Sequence, residues 1–138
     1  MYPYSHKVQY YETDKMGVVH HSNYLRWMEE ARIAFLSSIG LEYDELEAEG
    51  FMSPVIEANC KYKKATKFGE TIRIETCIVE YNSYRITFSY VMKNEKGEVV
   101  CIGQSDHCFL STSGKLLILR TSNPEVDNLL KENVEAKE

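Results

Sequence analysis

The chain lacks the features that would send it into a membrane, out of the cell or onto nucleic acid. No apolar run approaches the ~20 residues that a membrane-spanning helix needs. The opening residues, Met1-Tyr-Pro-Tyr-Ser-His-Lys, hold no apolar segment of the kind that signals secretion. A cytoplasmic location is therefore expected. Cys60, Cys77, Cys101 and Cys108 have no CxxC spacing, which argues against a zinc knuckle or a dithiol redox centre. Each falls in a strand-like run and is expected as a reduced, buried thiol. Positive charge is in short supply: 16 Lys and Arg against 21 Asp and Glu give a net charge of −5. That balance argues against general affinity for nucleic acid, though a local basic patch can still hold an anionic ligand. No linker or repeat divides the 138 residues, so a single domain over 1–138 is expected, large enough to bury a core without metal or disulfide.

What the chain does have is concentrated between Tyr10 and Gly40. That stretch reads Tyr10-Tyr-Glu-Thr-Asp14-Lys-Met-Gly17-Val-Val-His20-His21-Ser-Asn23-Tyr24 and continues to Ile39-Gly40. A polar turn carries Asp14 and Gly17. From Asn23, residues Tyr24, Trp27, Met28, Ala31, Ala34, Phe35 and Ile39 recur at the three-and-four spacing of an apolar helix face. Ser22 or Asn23 suits the cap, and Gly40 suits a left-handed stop. Such a helix would be roughly 25 Å long, enough to cross a small domain.

Strands account for most of the rest. Tyr4 to Tyr11 alternates, with Tyr4, His6, Val8 and Tyr10 on one face. Residues 41–54 form a connection with one short helical turn, anchored by Leu41, Tyr43, Leu46 and Phe51. Alternating runs then follow at 56–62, 72–78 and 84–92, separated by turn signals at Phe68-Gly69-Glu70 and Asn82-Ser83. Val99 to Thr112 reads as a long strand bent near Gly103. Asn123-Pro124 opens a short terminal helix, and Lys131 to Glu138 is expected to fray. Helix and strands are segregated, which predicts an α+β fold with a mainly antiparallel sheet. Wrapping that sheet around the long helix covers both apolar faces at once.

The motif Tyr10-x-x-x-Asp14-x-x-Gly17-Val18-Val19-x-His21-x-Asn23-Tyr24, followed by Leu25-Arg26-Trp27-Met28-Glu29-Glu30-Ala31-Arg32, resembles the 4-hydroxybenzoyl-CoA thioesterase family, in its acyl-CoA branch. The resemblance covers nearly the whole chain and is specific in this motif. It implies the hotdog fold, a curved sheet around a central helix. It implies hydrolysis of an acyl-CoA thioester to a free acid and coenzyme A. Coenzyme A is then part of the substrate, and no separate cofactor is implied.

Thioester hydrolysis needs an activated water or a nucleophile, and a donor for the carbonyl oxygen as it gains negative charge. By resemblance, Asp14 is the catalytic carboxylate, and the backbone N–H near His21, at a helix start, polarises the carbonyl. Tyr10 and the His21 side chain match positions that line the site. Taken alone, Asp14 is an ordinary turn residue; its register with Gly17, His21, Asn23 and Tyr24 favours the catalytic reading. Gly17 is expected to let the backbone pack closely between the turn and the helix. A metal site is not expected, because neighbouring His20 and His21 side chains should diverge. The phosphates of coenzyme A need cationic partners, and Lys63, Lys64, Lys67 and Arg85 are the candidates; an ordinary solvated face explains any single lysine as well. Lys15 and His20 depart from the family pattern, and Met16, beside Asp14, is suited to lining an acyl pocket.

Hotdog subunits pair, often through one continuous sheet, so a homodimer or homotetramer with a shared site is expected. An acyl-carrier-protein thioesterase and a non-catalytic acyl-CoA binding module remain the alternatives.

Overall fold

Ile72, Ile74, Thr76 and Ile78 on one strand and Ile86, Phe88, Tyr90 and Met92 on the next are all buried. Together they make the floor of the core. The computed structural model describes residues 1–135 and gives the order β1 (Tyr2–Lys7), α1 (Ser22–Ser38), α2 (Tyr43–Ala48), β2 (Phe51–Met52), β3 (Val55–Tyr62), β4 (Thr71–Tyr81), β5 (Arg85–Lys93), β6 (Val99–Cys108), β7 (Leu110–Ser111), α3 (Leu119–Ser122) and α4 (Pro124–Glu132). Five strands form one antiparallel sheet in the order β1-β4-β5-β6-β3. Helix α1 lies on its inner face and buries Tyr24, Trp27, Met28, Ala31, Phe35 and Leu36. This is the α+β arrangement, a curved sheet around one long helix, that the segregated pattern and the hotdog resemblance lead one to expect. Gly40 closes α1 at φ +93, the left-handed stop. Asn123 caps α4, its side chain accepting from the Val126 N–H, with Pro124 in the first turn.

Several expectations need correction. β1 ends at Lys7, and Tyr10–Glu12 forms a short 3-10 turn. The Val8 N–H bonds the Glu70 carbonyl, after which the chain leaves the sheet. Tyr10 is therefore not an inward strand residue; it is 76% exposed. Neither Ser22 nor Asn23 caps α1 with its side chain. The Ser22 N–H reaches the His20 ring Nδ1 at 3.3 Å instead, and the Asn23 amide group turns back to the Glu12 carbonyl. The strand from Val99 breaks after Cys108, and Leu110–Ser111 pairs with β2 in a separate two-stranded sheet. The C-terminal residues up to Glu135 do not fray: α4 runs to Glu132, Val134 bridges Ile78, and the Glu135 carboxylate takes the Met1 ammonium at 2.7 Å. The fraying expected at 136–138 lies outside the described residues.

β3 differs from the other strands in what covers it. Its inward positions Ala58, Cys60 and Tyr62 face Ser105, Gly103 and Cys101 on β6 in the expected alternation. Yet only Cys60 is half-buried and the rest of the strand is exposed. α1 sits over the other side of the sheet and leaves a groove between Leu25, Met28, Glu29 and Arg32 on the helix and Val55 and Ala58 on β3.

Candidate functional site

The Asp14 loop is a small hairpin closed by the Thr13–Val19 bridge. The Asp14 N–H donates to the Val18 carbonyl at 2.9 Å, and the Gly17 N–H donates to the Asp14 carbonyl at 3.0 Å. Gly17 adopts φ +78 with nothing within 4 Å of a would-be Cβ. Its role is the left-handed turn, not the close packing that was expected. The loop is pinned from outside by the Val19 N–H on the Thr66 carbonyl and by the Val18–Lys67 bridge. One Asp14 oxygen, Oδ1, accepts the Met16 N–H at 2.8 Å. The other accepts no hydrogen bond among the described residues.

Asp14 opens onto a cleft of about 370 Å³ lined also by His21, Tyr24, Tyr62, Lys63 and Lys64. His21 stands at the start of α1. Its side chain is exposed, and its carbonyl accepts the Tyr62 hydroxyl at 3.4 Å. The His20 N–H is taken by the Glu12 carbonyl, the Asn23 N–H by the His20 carbonyl and the Tyr24 N–H by the His21 carbonyl. The His21 N–H finds no partner among the described residues. It is the free donor at the positive end of the helix. The His20 and His21 rings do not diverge as expected; they lie together, with centroids 4.2 Å apart.

The other candidates divide. Lys63 and Lys64 line the cleft. Lys64 is bound to Glu98, while Lys63 has no ion-pair partner among the described residues. Lys67 is exposed beside the loop but outside the cleft lining. Arg85 pairs with Asp106 at 3.0 Å. It sits opposite Cys108, whereas Tyr62 sits opposite Cys101; seven residues of extended strand put about 23 Å between the two ends. Within one chain, Arg85 is not brought to the cleft. Tyr10 also lies apart from it, its ring against Phe68 at 5.7 Å. Met16 is exposed at the loop tip.

Three residues at or beside this site were given no site role from the sequence. Tyr24 and Tyr62 pack edge to face at 5.1 Å and wall the cleft. The buried Tyr24 hydroxyl bonds the Thr66 hydroxyl at 2.7 Å, and burial holds its pKa above the ordinary phenol value. Glu12, two residues before Asp14, is buried with its carboxylate fully partnered. The sequence signals for the tyrosines were the place of Tyr24 at the end of the motif and that of Tyr62 at the end of an alternating strand run. A charged residue between Tyr11 and Thr13 gave none for Glu12.

With this geometry in view, the chain can be set beside known proteins. Residues 8–134 match the model of the thioesterase-like superfamily. A Bacillus subtilis protein, YneP, provisionally assigned as an acyl-CoA thioesterase, is 38% identical over 120 residues, covering 86% of this chain and 87% of its own. The crystal structure of a DHNA-CoA thioesterase from Staphylococcus aureus superposes with a TM-score of 0.92 at 31% identity, covering 94% of this chain and 88% of that one. A gentisyl-coenzyme A thioesterase structure, BH1999, gives a TM-score of 0.81 at 26% identity over 88% of this chain and 98% of its own.

Proposed function

This chain belongs to the thioesterase-like superfamily, and from that premise we propose that it hydrolyses acyl-CoA thioesters to a free carboxylic acid and coenzyme A. The observation that carries this reading is that one cleft is lined by both Asp14, with one carboxylate oxygen free, and His21, the residue at the start of α1 whose N–H is unpartnered among the described residues. The thioester carbonyl oxygen accepts the His21 N–H, which is preorganised for the negative charge that develops there. Asp14 acts on the carbonyl carbon in one of two ways. As general base it takes a proton from water. The water oxygen bonds to carbon, the C–S bond breaks, and the departing thiolate receives the proton. As nucleophile its own oxygen bonds to carbon and expels the thiolate, leaving an anhydride that water opens. In a single turnover in ¹⁸O-water, label in the Asp14 peptide identifies the nucleophilic route with water opening the anhydride at the Asp14 carbonyl; the general-base route labels only the product acid.

Lys63 and Lys64, at the cleft mouth, neutralise the phosphates of the coenzyme. The His21 ring lines the entrance beside Tyr62. Two copies of the chain pair through β3. In support, this edge strand has a free hydrogen-bonding side and exposed Val55, Ile56 and Tyr62. The groove between β3 and α1 also needs a cover. In such a pair Arg85, at the far end of the sheet from its own cleft, serves the partner's site, while Tyr10 and Lys67 stay beside their own Asp14 loop. The four free thiols suit a reducing, cytoplasmic compartment, and no helix among the described residues is long and apolar enough to cross a membrane.

The test is a panel of acyl-CoAs of varied chain length, aromatic ones included, with release of free coenzyme A followed over time. Steady release supports the reading. Binding without release across the panel points to a sensing module, and turnover confined to acyl-carrier-protein substrates points to that class instead.

A further inference from the structure

Glu12 is 4% exposed, and a carboxylate is rarely buried that far unless it is paired. Its partners come from four parts of the chain. Oε1 accepts the Gln9 N–H at 2.8 Å and faces the His6 ring Nε2, on β1, at 2.8 Å. Oε2 accepts the Trp27 indole N–H, in the second turn of α1, at 2.7 Å. The Glu12 carbonyl accepts the His20 N–H at 2.9 Å and the Asn23 side-chain N–H, in the first turn, at 2.9 Å. The His6 ring is held in turn by Glu30 through Nδ1 at 3.3 Å and stacks against Trp27. Burial alone would raise the Glu12 pKa. The Gln9 N–H, His6 and the Trp27 indole outweigh it and hold the carboxyl below its usual range.

Every one of these ties acts on the same short path. Glu12 is two residues from Asp14, and His20 is one residue from His21. Through its side chain Glu12 is fixed to the body of α1. Through its backbone it fixes the strand that enters the Asp14 hairpin to the residue just before the free helix donor. Between the Asp14 carboxylate and the His21 N–H, Glu12 is thus tied on one side to α1, while Thr66 and Lys67 pin the hairpin on the other.

We infer that Glu12 is a positioning residue of the hydrolytic site, holding the Asp14 loop in register with the amino end of α1. This rests on the catalytic reading of Asp14 and His21 given above. Glu12 touches no substrate. Its effect is on the geometry of the attacking group, where displacements near 1 Å can cost about 100-fold in rate. It should therefore move kcat and leave KM in place, because the walls that bind the coenzyme, Tyr62 and Lys63, are outside its network.

The experiment compares wild type, Glu12→Gln and Asp14→Asn on one good acyl-CoA substrate, with kcat and KM per folded molecule and with circular dichroism and melting curves on the same samples. Gln keeps the shape but sets an amide group against the donors of Trp27 or Gln9. The expected result is a kcat lower by about 10- to 100-fold in Glu12→Gln, with KM within about threefold and the fold intact, and with Asp14→Asn nearly inactive. If Asp14→Asn is inactive while Glu12→Gln keeps the wild-type kcat, even with a lowered melting temperature, Glu12 is only structural and the inference is overturned. If Asp14→Asn turns over at the wild-type rate, the catalytic reading falls and this inference falls with it. Should Glu12→Gln fail to fold, Asn23→Ala and Trp27→Phe each remove one tie. Several-fold losses in kcat at unchanged KM support the inference, and wild-type kcat in both overturns it.

Discussion

The Met28 sulfur lies 2.8 Å from where a Cβ on Gly103 would stand. Helix α1 therefore reaches the sheet at β6 through a contact that an added Cβ would crowd, forcing the Met28 side chain to shift. Gly103 has no positive φ, so its role is close approach and not a turn. Gly103→Ala is expected to destabilise the protein by about 1–3 kcal/mol through overpacking, read as a lower denaturation midpoint at unchanged m-value. An unchanged midpoint would mean that Met28 simply swings aside.

His107 is buried, with Nε2 at 2.8 Å from the Ser105 hydroxyl, which also bonds the Tyr90 hydroxyl. Burial, with the nearby Arg32 charge, pushes its pKa down from 6.5 to about 4. The folded protein keeps this ring neutral where the unfolded chain takes up a proton. Its contribution is complete above pH 6.5, is lost as the pH falls through about 4, and levels off below that. The whole change amounts to about 3 kcal/mol. His107→Gln should remove this part of the acid slope, measured by denaturation at pH 7, 5.5 and 4; parallel curves for the two proteins would contradict it.

Cys60 is half-buried on β3, its thiol 3.5 Å from the Met28 sulfur. The neighbouring Cys101 thiol, acting against burial, lowers its pKa from the ordinary thiol value. A small alkylating reagent at neutral pH should therefore modify Cys60 first, with buried Cys77 and Cys101 reacting only on unfolding. Peptide mapping of the first adduct decides it, and prior labelling of Cys108 would be the contrary result.

The sequence carried most of the fold because its signals were periodic. The α1 stripe appears within one residue of the expected bounds, and the alternating runs become β3, β4 and β5, with the expected sets buried on β4 and, from Ile86 on, on β5, while β3 stays exposed apart from half-buried Cys60. The misreadings arose where pattern and contact diverge. Tyr10 continued the alternation of Tyr4, His6 and Val8, but hydrogen bonds near Glu70 and Gln9 turned the chain into a 3-10 helix. The Met28 contact at Gly103 was not legible, because a helix contact leaves no mark on the strand's own sequence. At the site, the motif was enough to bring Asp14 and His21 to one cleft. The part played by Glu12 was not legible, because a lone glutamate reads as surface until the donors of His6, Gln9 and Trp27 are seen to converge on it.

Lys63 is the cleft lysine without an ion-pair partner among the described residues, whereas Lys64 is held by Glu98. Lys63→Ala is expected to raise KM for acyl-CoA roughly 5-fold, about 1 kcal/mol of an exposed charge-assisted contact, with kcat little changed and the effect shrinking in high salt. Equal KM values for variant and wild type at low salt would remove Lys63 from the coenzyme site.

The most direct measurement is turnover of Asp14→Asn against wild type on the best substrate of the acyl-CoA panel, with binding followed separately. The account predicts retained binding and a kcat reduced by about 100-fold or more. Turnover at the wild-type rate would contradict it.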